Sequence, residues 1–262
     1  MALASEPFTW SEASGAQPFF WRPPEPLLTS VSVLSPDGRV FLGAVYEVGG
    51  DAAAYRWTDG GAEVLPRPAI GHFPAPAAMT PDGAVIAGTV QVSVPRDDGG
   101  SEGQSRPVRW ADGNVAPYPV VEGLEDCRPQ ALSHDGRVAV GECWEHGVGF
   151  SRGRAVRWES DRGETLAPLP RETYSGATDV SADGSVIAGA LNRQGELGIF
   201  VWTLATGTRD LVELLVEGGA GDDIDGWALA GIAGLSDDGR VVAGTAQDST
   251  GRLRAFRAVL PE

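Results

Sequence analysis

The residues best suited to chemistry sit in a few short stretches. Cys127 and Cys143, the only two cysteines, flank the segment SHDGRVAVG (133–141), eight residues before and eight after Asp135. If that segment is a hairpin, the two thiols face each other across it. Opposed Cα atoms lie roughly 4.5–5.5 Å apart, within reach of a disulfide. Such a bond contributes about 3 kcal/mol in the chain-entropy model and belongs to an oxidising compartment. The competing reading is a pair of buried free thiols, separated by a bulge that shifts the register. In GDDIDGW (221–227), Asp222, Asp223 and Asp225 crowd before Gly226. Carboxylates this close can hold calcium through their oxygens. The spacing is not that of a calcium loop with a distal glutamate, so a solvated acidic turn competes with it. His146 lies near Cys143 and Glu145, and with His134 a mixed His/Cys zinc site can be drawn. Against that, His134 fills a turn position that holds Pro, Ala or Asp in related segments.

Four tryptophans, Trp57, Trp110, Trp158 and Trp202, recur in like contexts (YRW, VRW, VRW, FVW), which points to packing between sheets. Trp10, Trp21, Trp144 and Trp227 fall outside that pattern. Of these, Trp21, Trp144 and Trp227, with His146, are the candidate ligand contacts, by stacking on a sugar or clamping a peptide. No G-x-S-x-G, H-E-x-x-H, P-loop or dinucleotide fingerprint occurs. All 20 basic residues are arginine, which removes Schiff-base and P-loop lysine chemistry. No catalytic residue can be assigned, and no cofactor is expected beyond the calcium alternative. The net charge of −16 argues against nucleic acid and anionic membranes as partners, and leaves basic partners and cations open.

What positions these groups is a repeat. SPDGRVFLG (35), TPDGAVIAG (80), SHDGRVAVG (133), SADGSVIAG (181) and SDDGRVVAG (236) are near-copies. Asp37, Asp82, Asp135, Asp183 and Asp238 each precede a glycine; valine follows three residues after the Asp and glycine six after. Asp-Gly suits a tight hairpin turn, and the residues three before and three after then pair across it. A glycine inside the second strand marks a close backbone approach or a bulge. An aromatic third strand and a short outer strand follow in each copy. The loop RDDGGSEGQSR (96–106) reads as exposed and mobile.

The unit is thus four antiparallel strands in about 50 residues, and five units in series predict an all-β, five-bladed propeller, with six blades as the alternative. The units fall at about 27–66, 72–120, 125–170, 174–215 and 226–262 of one domain spanning 1–262. The last unit stops after its third strand, and the N-terminal segment 8–24 is expected to supply the missing strand and close the ring.

The repeated S-x-DG-x-V-x-x-G, the aromatic strand after it, and above all GWALAGIAGLSDDGRVVAGTAQDSTGRLRAFRAVLP (226–261) resemble the bacterial HAF repeat family, described as a probable extracellular repeat. The resemblance implies the fold and an envelope or secreted setting, and no reaction. No leader with a basic n-region and an apolar core is visible in MALASEPFTWSEASG, and no apolar run is long enough to insert in a membrane. The expected function is a non-catalytic scaffold that binds a protein or glycan through its loops. The alternatives are a carbohydrate-active hydrolase or lyase with a carboxylate pair at the channel mouth, and a structural spacer in an envelope assembly.

Overall fold

The computed structural model describes residues 8–18, 28–46, 52–95, 99–147, 152–159, 161–166 and 168–261. A hairpin of β1 (Phe8–Ser11) and β2 (Gly15–Pro18) comes first and forms its own two-stranded sheet. Five antiparallel sheets follow, each ordered as in the chain. Sheet 1 is β3 (Leu28–Leu34), β4 (Phe41–Tyr46), β5 (Ala52–Thr58) and β6 (Gly61–Val64). Sheet 2 is β7 (His72–Met79), β8 (Ile86–Pro95), β9 (Ser101–Ala111) and β10 (Asn114–Pro117). Sheet 3 is β11 (Asp126–Leu132), β12 (Val138–Trp144), β13 (Arg154–Glu159) and β14 (Arg162–Thr165). Sheet 4 is β15 (Glu172–Val180), β16 (Val186–Arg193), β17 (Glu196–Thr203) and β18 (Gly207–Asp210). Two short helices, α1 (Leu211–Glu217) and α2 (Gly221–Ile224), lead to the three-stranded sheet 5 of β19 (Ala228–Leu235), β20 (Val241–Gln247) and β21 (Leu253–Val259). The chain divides into two compact units, Met1–Pro117 and Tyr118–Glu262.

The repeated residues build one joint five times. The Ser or Thr two before each Asp donates its hydroxyl to the Asp carboxylate, at 2.5–2.7 Å. The same carboxylate accepts the backbone N–H two residues on, at 3.0 Å in each copy. The hydroxyl oxygen in turn accepts the valine N–H, at 2.8–3.0 Å. These bonds hold all five Asp carboxyls below the usual carboxylate range, the serine or threonine hydroxyl leading in Asp37, Asp82 and Asp238 and the backbone N–H in Asp135 and Asp183. A carboxylate depressed by folding stabilises the fold above its unfolded value and loses that contribution as pH falls through the folded one.

Two sequence expectations change here. Only the glycine of each Asp-Gly pair takes a positive φ (67° to 76°); the Asp acts through its side chain. The pairing after the turn is also one residue longer on the second strand: Leu132 faces Ala139, three before and four after Asp135. A bulge at Gln130 then restores the count, so Pro129 faces Gly141. The same shift recurs in the other four sheets. The bulge explains the second glycine. A Cβ on Gly43, Gly88, Gly141, Gly189 or Gly244 would lie 1.8–2.3 Å from the carbonyl oxygen of Ser30, Ala75, Arg128, Gly176 or Gly231.

The valine links neighbours. A Cβ on Gly83 would sit 2.9 Å from Val40 Cγ1, one on Gly184 2.7 Å from Val138 Cγ2, and one on Gly239 2.7 Å from Val186 Cγ2. Main-chain bonds join successive turns as well: His134 N–H donates to the Ala182 carbonyl at 2.9 Å, and Ala182 N–H to that of Asp237 at 2.8 Å. The cores lie between sheets. Leu42, Ala54, Leu65, Ile86, Val90, Val108 and Trp110 fill the space between sheets 1 and 2. Val138, Val140, Ile187, Leu191, Phe200 and Trp202 belong to the core of sheets 3 and 4. Leu211 and Leu215 of α1 join Ile199, Val201, Val242 and Ala258 in a third core.

Residues 101–106 of the expected loop 96–106 are strand. β9 begins at Ser101, pairing Ser101 with Pro95 and Arg106 with Val90, and Gln104 and Ser105 are buried. Replacing Gly141 by Ala is expected to cost about 2–3 kcal/mol, because a methyl group is forced into a carbonyl. Gly221→Ala, with open space around it, is expected to be neutral or to stabilise by up to about 1 kcal/mol. Urea-unfolding midpoints of the two variants check this contrast.

Candidate functional site

Each sheet has two unlike ends. One end carries the S-x-D-G turn and, in sheets 1 to 4, the tight turn between third and fourth strands. The other carries the connection from second to third strand and the entry to the sheet. The first end is uniform, and the Ser, Thr and Asp side chains of its turns are spent on the joint described above. The second end varies from sheet to sheet, and in the unit Tyr118–Glu262 several polar pairs peculiar to single sheets lie there.

Sheet 3 contributes most. Cys127 and Cys143 face each other across β11 and β12 and form a disulfide, with Cα atoms 4.1 Å apart. The expected pairing holds although the turn register and the bulge were both unforeseen, because the two shifts cancel. Asp126 and Trp144 are the next cross-strand pair outward. Asp126 is 6% exposed, and its Oδ2 lies 2.7 Å from Nδ1 of His146. A carboxylate so placed fixes the imidazole's orientation. Trp144 is only 4% exposed, and the guanidinium of Arg128 stands 5.3 Å from its ring centre.

Sheet 4 meets sheet 3 at the same end. The Tyr174 hydroxyl donates to Glu142 Oε2 at 2.8 Å, and burial, then the Glu142 carboxylate, push the phenol well above its usual range. The pair is cradled by glycines: a Cβ on Gly176 would come within 2.6 Å of the phenol oxygen, and one on Gly153 within 3.0 Å of the ring. Arg154 donates to the Thr173 carbonyl, and Ser175 N–H to that of Gly153. Beyond sheet 4, Asp210 caps α1 by accepting the N–H groups of Val212 and Glu213, while Arg193 pairs with its second oxygen.

The sequence candidates distribute as follows. Cys127, Cys143, Trp144 and His146 come together at this end of sheet 3. His134 lies at the opposite end, 3.3 Å from Asp237, so the two histidines do not converge on one metal. Asp222 and Asp223 are exposed on α2, and Asp225 is its C-cap. Among the described residues, no group of three or more His, Cys, Asp or Glu side chains is arranged to hold a metal ion. Trp227 is 43% exposed just after α2, and Trp10 is 68% exposed on β1. Trp21 lies outside the described residues. The four regular tryptophans are 0–9% exposed, and Trp110 and Trp158 donate their indole N–H to the carbonyls of Pro66 and Pro119. Arg56 pairs with Glu63 at 2.5 Å and reaches the Gly83 carbonyl. Arg157 pairs with Glu159 and lies over Trp202. Sequence reasoning missed Asp126, Glu142 and Tyr174. Asp126 was readable once Cys127 was paired, since its neighbour's register places it opposite Trp144. Glu142 and Tyr174 are 32 residues apart and carry no local signal. A cavity of about 250 Å³ lies at the uniform end between sheets 1 and 2, with Arg56, Glu63, Trp110 and Asn114 in its lining.

This architecture of short antiparallel sheets in series is that of a β-propeller, and solved structures bear it out. The chain is similar to the β-propeller domain of the trilobed protease from Pyrococcus furiosus (14% identity, 87% of this chain and 66% of that one, TM-score 0.54). It is also similar to prolyl oligopeptidase B from Galerina marginata (12% identity, 95% of this chain and 37% of that one, TM-score 0.59). A third similar structure is TolB from Acinetobacter baumannii (17% identity, 91% of this chain, TM-score 0.50), of whose length the chain spans 55%. No family model and no curated protein matches the sequence. Among the described residues no helix is long and apolar enough to cross a membrane.

The disulfide closes a loop of 16 residues. Cys127→Ser with Cys143→Ser is expected to lower stability by about 3 kcal/mol. Alkylation of the denatured, unreduced wild type, read by intact mass, should add no label; two labels would place the cysteines in the free form.

Proposed function

We propose that this chain is a non-catalytic β-propeller scaffold that binds a protein ligand at the loop end of its blades. One observation carries the reading: the repeated Ser, Thr and Asp side chains are consumed in the turns of the uniform end, while Asp126, His146, Glu142 and Tyr174, which are peculiar to single sheets, meet where the connections differ. Binding in scaffolds of this kind lives in such connections. The turn Asp residues are engaged by hydroxyl and backbone donors, and Glu63 in the cavity is tied to Arg56. The disulfide supports an oxidising setting, extracellular or in the cell envelope.

The proposal includes five blades, with the N-terminal segment supplying a fourth strand to sheet 5. Its support is arithmetical: four sheets have four strands, sheet 5 has three, and β1 and β2 form a spare hairpin. One similar structure is described as having an open velcro topology, the alternative arrangement. Hydrogen exchange on the full chain decides between them. With closure, the amides of β21 that point away from β20 should exchange at least about 100-fold more slowly than the outward amides of β14; equal rates would mean an open edge.

For the binding end, the tagged chain is used to capture partners from an envelope extract. Arg128→Glu combined with Trp227→Ala alters the loop end, and Arg162→Glu combined with Leu204→Ala alters the uniform end. Retention of the partner should fall at least about tenfold in the first variant only. Loss in the second variant, or capture of polysaccharide in place of protein, would refute the proposal.

A further inference from the structure

The segment between sheets 4 and 5 is the one helical insertion among the described residues, and its outer surface is not that of an ordinary connector. α1 is anchored: Leu211 and Leu215 are buried against sheets 4 and 5, and Asp210 caps its first turn while held by Arg193. The flank adjoining that buried stripe is apolar too and stays exposed. Val212 and Val216, one turn apart, are 39% and 52% exposed, and Trp227 just beyond α2 is 43% exposed. An amphipathic helix satisfied by its own core needs one apolar stripe; α1 carries a second beside it.

Charge surrounds that second stripe on one side only. Glu213 and Glu217 run beside the valines at the same spacing, and Asp222, Asp223 and Asp225 follow; all five are exposed. Residues 211–225 contain no basic side chain, and the nearest arginine, Arg209, is already paired with Glu217 at 2.7 Å. Five carboxylates against one arginine leave an acidic excess beside the exposed valines, and that combination is complementary to an apolar stripe flanked by basic residues.

We propose that the exposed flank of α1, with the acidic turn and Trp227, docks a basic amphipathic helix of a protein partner. Val212 and Val216 cover its apolar stripe. Trp227 supplies an exposed aromatic anchor. The carboxylates meet its Lys or Arg side chains and speed its approach. This deepens the scaffold reading and rests on it, since it names a partner chemistry for part of the loop end.

The test uses the full chain and a fluorescein-labelled 14-residue Lys–Leu peptide with helical amphipathic spacing. A scrambled peptide of the same composition serves as comparison. The ordered peptide should bind at least about tenfold more tightly than the scrambled one and weaken as salt is raised. Val212→Ser with Val216→Ser, both at exposed positions, and separately Glu213→Gln with Glu217→Gln, should each weaken it by about tenfold. Glu122→Gln with Glu125→Gln, exposed acids outside the helices, should leave it unchanged. Circular dichroism confirms that each variant is folded. Absence of binding, equal binding of the scrambled peptide, or equal loss in the Glu122/Glu125 variant would overturn the docking proposal. If partner capture still depends on the loop end in that case, the scaffold reading stands; if it does not, both fall.

Discussion

In each of the five sheets a carbonyl oxygen of the first strand occupies the place where a side chain of the second strand would stand. That contact leaves room for hydrogen alone, and the rest of the repeat follows from it. The first strand reaches so close because it carries an extra residue at the bulge. The bulge sets the register, and the register fixes which residues the Ser/Thr-x-Asp-Gly turn must join. Within each compact unit the turn presents its valine to the turn glycine of the following sheet, as Val40 does to Gly83, Val138 to Gly184 and Val186 to Gly239. One steric exclusion therefore runs through bulge, turn and inter-sheet seam, and it explains why the glycine six after each Asp recurs in all five copies while the residue before it varies among Ala, Val and Leu.

Much of this was legible in the sequence, and the misreadings are instructive. The spacing of Asp, Val and Gly identified the hairpins because each residue type answers a local requirement. The register was misjudged by one, since Asp-Gly alone does not distinguish a two-residue turn from a longer one in which only the glycine is left-handed. The cysteine pairing survived because the bulge compensates, which no pattern of residue types could reveal. α1 was overlooked in a chain otherwise read as strands, though Asp210 before LVELLVE is a capping residue ahead of a helical leucine spacing. At 101–106 polarity suggested a loop, and cross-strand pairing made a strand of it.

The site was legible in fragments. Trp144 was singled out for falling outside the repeat and His146 for lying near Cys143 and Glu145, and both lie at the variable end of sheet 3. Yet Trp144 is buried beneath Arg128, and His146 is oriented by an Asp that no motif pointed to. Contacts such as Tyr174 to Glu142 join different sheets, so they depend on how blades stack and leave no trace in local spacing. A repeated scaffold hides its activity in this way: the conspicuous residues are the structural ones, and the specific ones are few and scattered.

The main-chain relay from His134 through Ala182 to Asp237 has a consequence for the order of the copies. Donor and acceptor are both backbone atoms of the position before the Asp, so His, Ala and Asp serve equally well there. Proline does not, because it has no N–H to give. The copies that carry Pro36 and Pro81 could accept such a bond but never pass one on. The five segments, alike as they look on paper, are therefore not interchangeable: transplanting a proline-bearing turn into the third or fourth place would silence a donor and unfasten the seam beside it.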